Sequence, residues 1–382
     1  MESKKMKPYV VQLDGGIGRI ICATSAIEIL AKERKVIVLT SYPEIFWNNP
    51  NIYKVYSLSR EYLWDDVIRH GEFRFPEPYY NHLFYNQKQH LIQSFDMLLN
   101  GGDGRFYNPK IYLSSDEVKW ASDFIATRKK ESGKDIAMLQ CFGSTARVED
   151  GKTIDPSNRS LPVNVVNVIC RNSNCIYINA SHIPIDLANV WQQTFTLRQI
   201  FALTAHCDFV VSIDSFLMHL GAACNKVGIA FFGGTYPENL GYPNYKMVVR
   251  DGYPKSYMPN RFAGFIDENT GALDFSTEEI EQILKVINDR NFPTVEEVFP
   301  IIKEIKAMDN VKVSDSPISE EIKMPDVSPS SIDENEIKSD ISPSSIGCDD
   351  ILPVINEEIK ISDDSMENKK IEDVLINESI SG

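Results

Sequence analysis

Short aliphatic runs, each followed by a turn and then a helical pattern, recur along this chain and leave few folds open. YVVQL (Tyr9–Leu13), VIVLT (Val36–Thr40) and KVYSL (Lys54–Leu58) alternate with a helical pattern over Arg19–Arg34 and a short helix near Pro43–Trp47. A second series holds DIAMLQCFG (Asp135–Gly143), CIYINA (Cys175–Ala180), CDFVVSID (Cys207–Asp214) and VGIAFFG (Val227–Gly233). Such runs lack polar alternation, so both faces of each strand are buried; with helices between them they pair in parallel through right-handed crossovers. The expected fold is α/β: two Rossmann-like doubly wound domains facing a cleft at the carboxyl ends of their strands. Residues 1–130 form the first domain, with an aromatic insert over 60–109. Residues 131–310 form the second, the charged stretch Ala126–Asp135 is the linker, and amphipathic helices after Phe275 close the body.

Composition supports a body of this size and sets its tail apart. The 382 residues are 43% hydrophobic, enough for about two domains with real cores. From Val311 onward lie 18 acidic residues and 6 lysines, leaving 33 basic against 36 acidic before it, so most of the net charge of −15 is in the tail. There SPSSI occurs twice, at Ser328–Ile332 and Ser342–Ile346, among Ser, Pro, Asp and Glu. That composition buries too little apolar surface to offset ordering entropy, so 311–382 is predicted to be disordered, its spaced isoleucines available to a protein partner. The seven cysteines are scattered without paired knuckles, which argues for reduced thiols rather than zinc. No apolar stretch is long enough to span a membrane and the N-terminus has no signal-like core, so a cytoplasmic protein is expected.

The stretch LDGGIGRIICATSAI (Leu13–Ile27) runs from a strand through three glycines into a helix, the layout that lets a backbone approach phosphate. Gly16 and Gly18 are candidate contacts, Arg19 opens the helix, and Asp14 ends the strand. In Cys207–Asn244 a strand ends at Asp214, Ser215 is placed to cap the next helix, and His219 follows one turn later. The N–H groups of that helix suit a diphosphate, with His219 adding a hydrogen bond or positive charge. The next strand leads into FFGGTYP, with Gly233 and Thr235 as further contacts. The insert groups Tyr62, Trp64, Phe73, Phe75, Tyr79, Tyr80, Phe84 and Tyr85, either an acceptor surface for sugar rings or bases or the core of covering helices.

DSFLMH and FGGTYP, with Asp214, Ser215, His219, Gly233, Thr235 and Pro237, resemble the signature of glycosyltransferase family 9, the ADP-heptose:lipopolysaccharide heptosyltransferases. GGIGRIICATSAI is similar to that family's opening, and CFGSTARVEDGKTIDPSNRSLP to its loop of small hydroxyl residues leading to a basic one. The resemblance implies a GT-B fold, with donor nucleotide on the C-terminal half and acceptor on the N-terminal half. It also implies inverting transfer with no cofactor or essential metal, and Ser144, Thr145 and Arg159 on the donor phosphates. Two positions depart from the pattern. Phe216 stands where the family has glycine, and Arg19 where it has its proposed catalytic aspartate. Asp14 and Arg19 are then the catalytic pair: donor phosphates draw Arg19 away and release Asp14 as base, with Asp65, Asp66, His70 and His82 of the insert as alternatives.

Three functions fit these residues. The first is a transferase moving sugar from a nucleotide diphosphate-sugar to a saccharide or glycolipid hydroxyl. The second, in the same fold, glycosylates a modified DNA base, although the nearly neutral body shows no overall basic footprint. The third is a nucleotide-sugar-binding module without catalysis.

Overall fold

The computed structural model describes residues 6–253 and 272–293, which all fall within one compact unit. The second amphipathic helix and the tail, with Cys348, lie outside the described residues.

In the first half, β1 (Tyr9–Leu13), α1 (Ile17–Ala31), β2 (Val36–Thr40) and β3 (Lys54–Ser57) follow in order. The short helix α2 (Leu63–Asp66), strand β4 (Glu72–Arg74), helices α3 (His82–Tyr85) and α4 (Leu91–Asn100), and the long α5 (Ser115–Ser132) complete it. The sheet runs β3-β2-β1-β4, all parallel, with Leu13 opposite Thr40 and Val10 opposite Phe73. Strand β4 was not foreseen: only Phe73 and Phe75 alternate there, and the register comes from pairing with β1. The expected linker is also corrected. Most of Ala126–Asp135 is the last part of α5, which has a capping box at Ser114 and Glu117 and ends at Gly133 in a left-handed conformation. Its charges lie on the exposed face of a continuous helix.

In the second half come β5 (Asp135–Gln140), the hairpin β6 (Arg147–Glu149) and β7 (Lys152–Ile154), α6 (Val163–Asn172), β8 (Cys175–Asn179) and β9 (Val190–Trp191). Then follow α7 (Leu197–His206), β10 (Phe209–Ile213), α8 (Phe216–Ala223), β11 (Gly228–Phe232), α9 (Pro237–Leu240) and β12 (Tyr245–Val249), with a last described helix over Thr277–Asn288. The six-stranded sheet runs β12-β11-β10-β5-β8-β9, all parallel. In order of appearance that is 3-2-1-4-5-6, the Rossmann order, and the first sheet is its 3-2-1-4 portion. Strand order reverses between β5 and β10, and between β1 and β4. At those points successive connections leave toward opposite faces and a crevice opens past the strand ends.

Helix α1 joins the halves. Ten of its residues from Ile20 to Leu30 are buried, including Thr24, Ser25 and Glu28, because it packs against α4 and α8 as well as its own sheet. A helix covered on several sides cannot be amphipathic in the usual sense. One core accordingly runs through Val11, Ile20, Phe95, Met138, Leu217 and Tyr245. Arg198 on α7 adds a polar clasp, donating to Glu117 at 2.6 Å and to the carbonyls of Glu44 and Tyr112.

Candidate functional site

The crevice of each sheet opens onto the same cavity, about 550 Å³, at the meeting of α1 and α8. From the first half it is lined by Gly16, Gly18 and Arg19, with Tyr42 and Tyr79. From the second half come Gln140, Phe142, Ser144, Arg159, His182, Asp214, Ser215, Phe216 and His219.

The glycines have separate duties. Gly15 has φ +85, which an L side chain rarely adopts, and the Arg19 side chain lies over it. Gly18 sits where a Cβ would come within 2.7 Å of the His219 ring and 3.2 Å of the Phe216 backbone, so it permits the contact of α1 with α8. Gly16 is the N-cap of α1; no side chain caps this helix start, and open space surrounds its α-carbon.

At α8, Ser215 holds the N-cap position but its side chain does not cap, contrary to expectation. Of the N–H groups expected to face a diphosphate, that of Leu217 donates to Gln140 Oε1 at 3.1 Å. Neither helix start at the cavity is capped by its own N-cap residue, though Gln140 takes one N–H of α8, and each carries the positive end of its helix dipole.

Of the two roles expected of His219, hydrogen bonding fits its surroundings and positive charge does not. It is buried, its Nδ1 is 2.9 Å from the Tyr242 hydroxyl and 3.3 Å from Cys22 Sγ, and its Nε2 is 3.8 Å from Asp214. Desolvation, reinforced by Arg159, pushes its pKa down to about 3, so the imidazole is neutral near pH 7. Burial raises the Asp214 carboxyl pKa, opposed by Arg159 and Thr235. The cations lining the cleft are therefore the arginines.

Arg19 lines the cavity and keeps the expected ion pair with Asp14, but it has a closer partner. Its hydrogen bond is to Glu77 Oε2 at 2.9 Å, with the Pro76 carbonyl at 3.4 Å and the Tyr79 ring beneath it at 5.0 Å. Asp14 is a looser ion pair at 3.5 Å, and its carboxylate is outside the lining of the cavity. Glu77 follows β4 across the switch point from the β1 turn, a meeting that only the β1–β4 pairing creates. The alternative bases of the insert are exposed and lie elsewhere: Asp66 pairs with Arg60, Asp65 with Arg69, and neither His70 nor His82 lines the cavity. Most of the insert's aromatics are not the core of covering helices, and most lie outside the cavity. Tyr62 and Trp64 are 72% and 64% exposed, Phe73, Phe75 and Tyr80 are exposed too, Phe84 is core, and Tyr79 alone of the eight lines the cavity.

Around Arg159 the chain is organised by a residue that sequence reasoning missed. Asp155 is fully buried and accepts hydrogen bonds from Thr145, Ser157, Ser160 and the Arg159 backbone. Burial would raise its pKa, but those hydroxyl and N–H donors outweigh it and hold the carboxyl down at about 2. The signal was the run Asp-Pro-Ser-Asn, a turn with an acceptor side chain at its head. Thr145 thus turns its hydroxyl to Asp155 and does not line the cavity, whereas the neighbouring Ser144 does. Gly233 and Thr235 do not line it either. The glycine loop is pressed on the Ser157–Asn158 backbone, where a Cβ on Gly233 or Gly234 would collide with main chain.

Two Rossmann-ordered sheets with a ligand-sized cleft between their switch points define the GT-B class of fold. Residues 174–260 match the model of glycosyltransferase family 9 (heptosyltransferase). The resemblance seen in the sequence stands over this stretch, about a quarter of the chain, and it marks a glycosyltransferase. A family 9 glycosyltransferase from Veillonella parvula has the same fold, with TM-score 0.55 at 13% identity over 74% of this chain and 98% of its own. The E. coli ADP-heptose lps heptosyltransferase II aligns at TM-score 0.47 and 10% identity, over 79% of this chain and all of its own. The iron-containing dodecameric glycosyltransferase TibC of enterotoxigenic E. coli aligns at 0.48 and 13%, over 82% of each chain. No curated protein matches the chain by sequence. Among the described residues no three His, Cys, Asp or Glu are grouped to hold a metal ion, and no helix is long and apolar enough to cross a membrane. The comparisons lend no support to a DNA acceptor or to a partner for the tail.

Proposed function

We propose that the cleft binds the diphosphate of a nucleotide-sugar and that the chain transfers the sugar, with inversion and without an essential metal, to a hydroxyl of a saccharide or glycolipid. One observation carries the reading: two helix starts that their own N-cap residues leave uncapped and two arginines, Arg19 and Arg159, line the same cavity. Dipoles and guanidinium groups fixed in advance stabilise charge as a diphosphate departs.

In this reading residues 131–310 hold the donor, through Ser144, Arg159 and the Ser215–Phe216 turn, and residues 1–130 present the acceptor beside Tyr42 and Tyr79. The acceptor oxygen attacks the anomeric carbon while the bond to the diphosphate breaks, its electron pair passing to the departing phosphate oxygen. A single displacement inverts the centre. The acceptor's proton passes to a carboxylate at the β1 turn; Asp14, outside the lining but next in the chain to the lining Gly15 and paired with the lining Arg19, is the candidate once substrate draws Arg19 off it. His219, being neutral, supplies packing and hydrogen bonding rather than charge. The six cysteines among the described residues are all unpaired, which accords with a reducing compartment, the cytoplasm.

Calorimetric titration with a panel of nucleoside diphosphates, followed by assay of nucleotide release from the matching nucleotide-sugars with and without excess EDTA, tests this. One diphosphate should bind, Arg159→Ala should weaken it by about tenfold or more, and EDTA should leave turnover unchanged. Asp14→Asn should keep donor affinity and abolish transfer. A panel without any binder overturns the reading, and full turnover in Asp14→Asn overturns the assignment of the base.

A further inference from the structure

The guanidinium of Arg159 is held by a relay of its own. Its Nε donates to Ser157 Oγ at 3.1 Å, and Nη1 donates to the Asp214 carbonyl at 3.2 Å, beside the start of α8. The Ser157 hydroxyl in turn donates to Asp155 Oδ1 at 2.6 Å. A carboxylate can only accept, so the Ser157 proton points at Asp155 and the oxygen's lone pairs are turned toward Arg159.

Asp155 is fixed just as firmly. Oδ1 also takes the Ser157 N–H at 2.9 Å and the Thr145 hydroxyl at 3.1 Å. Oδ2 takes the N–H of Arg159 at 3.1 Å, the N–H of Ser160 at 2.8 Å and its hydroxyl at 2.6 Å. Ser160 Oγ accepts the Gly143 N–H at 2.9 Å, tying the arrangement to the end of β5. Six donors from four residues thus converge on one carboxylate that water does not reach.

That expense suits positioning better than stability. A buried charge returns little net stability even when every lone pair is satisfied. An arginine free to move must give up rotamer freedom to grip a ligand, and one already fixed gives up less. We propose that Asp155 and Ser157 are positioning residues for substrate binding, acting as a relay that presents the Arg159 guanidinium to the anionic group in the cleft. This rests on the donor reading above and adds to it the residues that set donor affinity.

The test is a double-mutant cycle with ADP and inorganic pyrophosphate as probes, titrated calorimetrically into the full chain. Arg159→Ala sets the scale with a loss of about tenfold or more. Ser157→Ala, which removes the relay hydroxyl but leaves Asp155 its other five donors, should lose about three- to tenfold. The double variant Ser157→Ala with Arg159→Ala should bind no more weakly than Arg159→Ala alone, because the serine acts only through the arginine. Asp155→Asn should behave as Ser157→Ala does; if it fails to fold, the serine cycle still decides. Losses that multiply, or a Ser157→Ala variant that binds like the parent, overturn the relay while leaving the donor site intact. An Arg159→Ala variant that binds both probes like the parent overturns the donor reading and the relay with it.

Discussion

Gly16→Ser separates what the start of α1 does for folding from what it does for ligand. Gly16 has φ −72 and ψ 156, extended backbone open to any residue, and a Cβ there meets nothing within 4 Å. Serine is among the best N-caps, so its hydroxyl should bond an N–H of the first turn and stabilise the helix by a few tenths of a kcal/mol over glycine. The same bond takes a donor from the cleft and sets a side chain in its open space. A hydrogen bond to a charged group contributes about 1.5–3 kcal/mol, so losing one raises the dissociation constant of a nucleoside diphosphate by roughly tenfold or more. Thermal unfolding and calorimetric titration on the same preparation give both quantities. An unchanged or slightly raised Tm with weakened binding is expected. A variant that binds diphosphate as the parent does would show that the start of α1 does not meet the phosphates.

Gly18→Ala should do the reverse and act on the fold. The added methyl meets a His219 ring that Tyr242 and Cys22 hold in place, so the strain passes to the α1–α8 contact. A cost of about 1–3 kcal/mol, read as several degrees of Tm at roughly 2–4 °C per kcal/mol, is expected, and an unchanged Tm would contradict the packing. Stability should also fall in mild acid. Burial pushes both His90 and His219 down to about 3, so the unfolded chain takes up protons below about pH 6.5 that the folded one refuses. Their contribution is full above pH 6.5 and is lost as pH falls toward 3, at about 1.4 kcal/mol per pH unit for each ring. The raised pKa of Asp214 works in the opposite sense at the acid end of that window. His90→Asn keeps an acceptor for the Ile92 N–H and removes one titrating ring, so urea unfolding between about pH 7 and 5 should show roughly half the slope. An unaltered slope would place the titration elsewhere.

Local patterns in the chain determined the alternation of buried strands and helices, the glycine turn at Gly15–Gly18, and the strand–Asp214–Ser215–helix block. Apolar runs, glycine and N-cap residues act within a few positions of themselves, and a single sequence displays them. What each side chain faces was decided only by the tertiary structure. Arg19 keeps its expected partner Asp14, a near neighbour in sequence, at 3.5 Å, but β4 docking beside β1 brings a closer one, Glu77 at 2.9 Å, from 58 positions away. His219 has the spacing of a ligand-facing cation, but burial between α1 and Tyr242 strips it of charge, and desolvation depends on everything packed around a group. Thr145 and Thr235 are hydroxyl residues in glycine-rich loops, as phosphate contacts often are, yet one turns to Asp155 and the other is buried behind the cleft. Sequence specifies which groups a chain owns and what each short segment prefers. The pairing of charges and the removal of water depend on contacts between segments far apart in the chain, and those exist only once the two sheets have closed on α1.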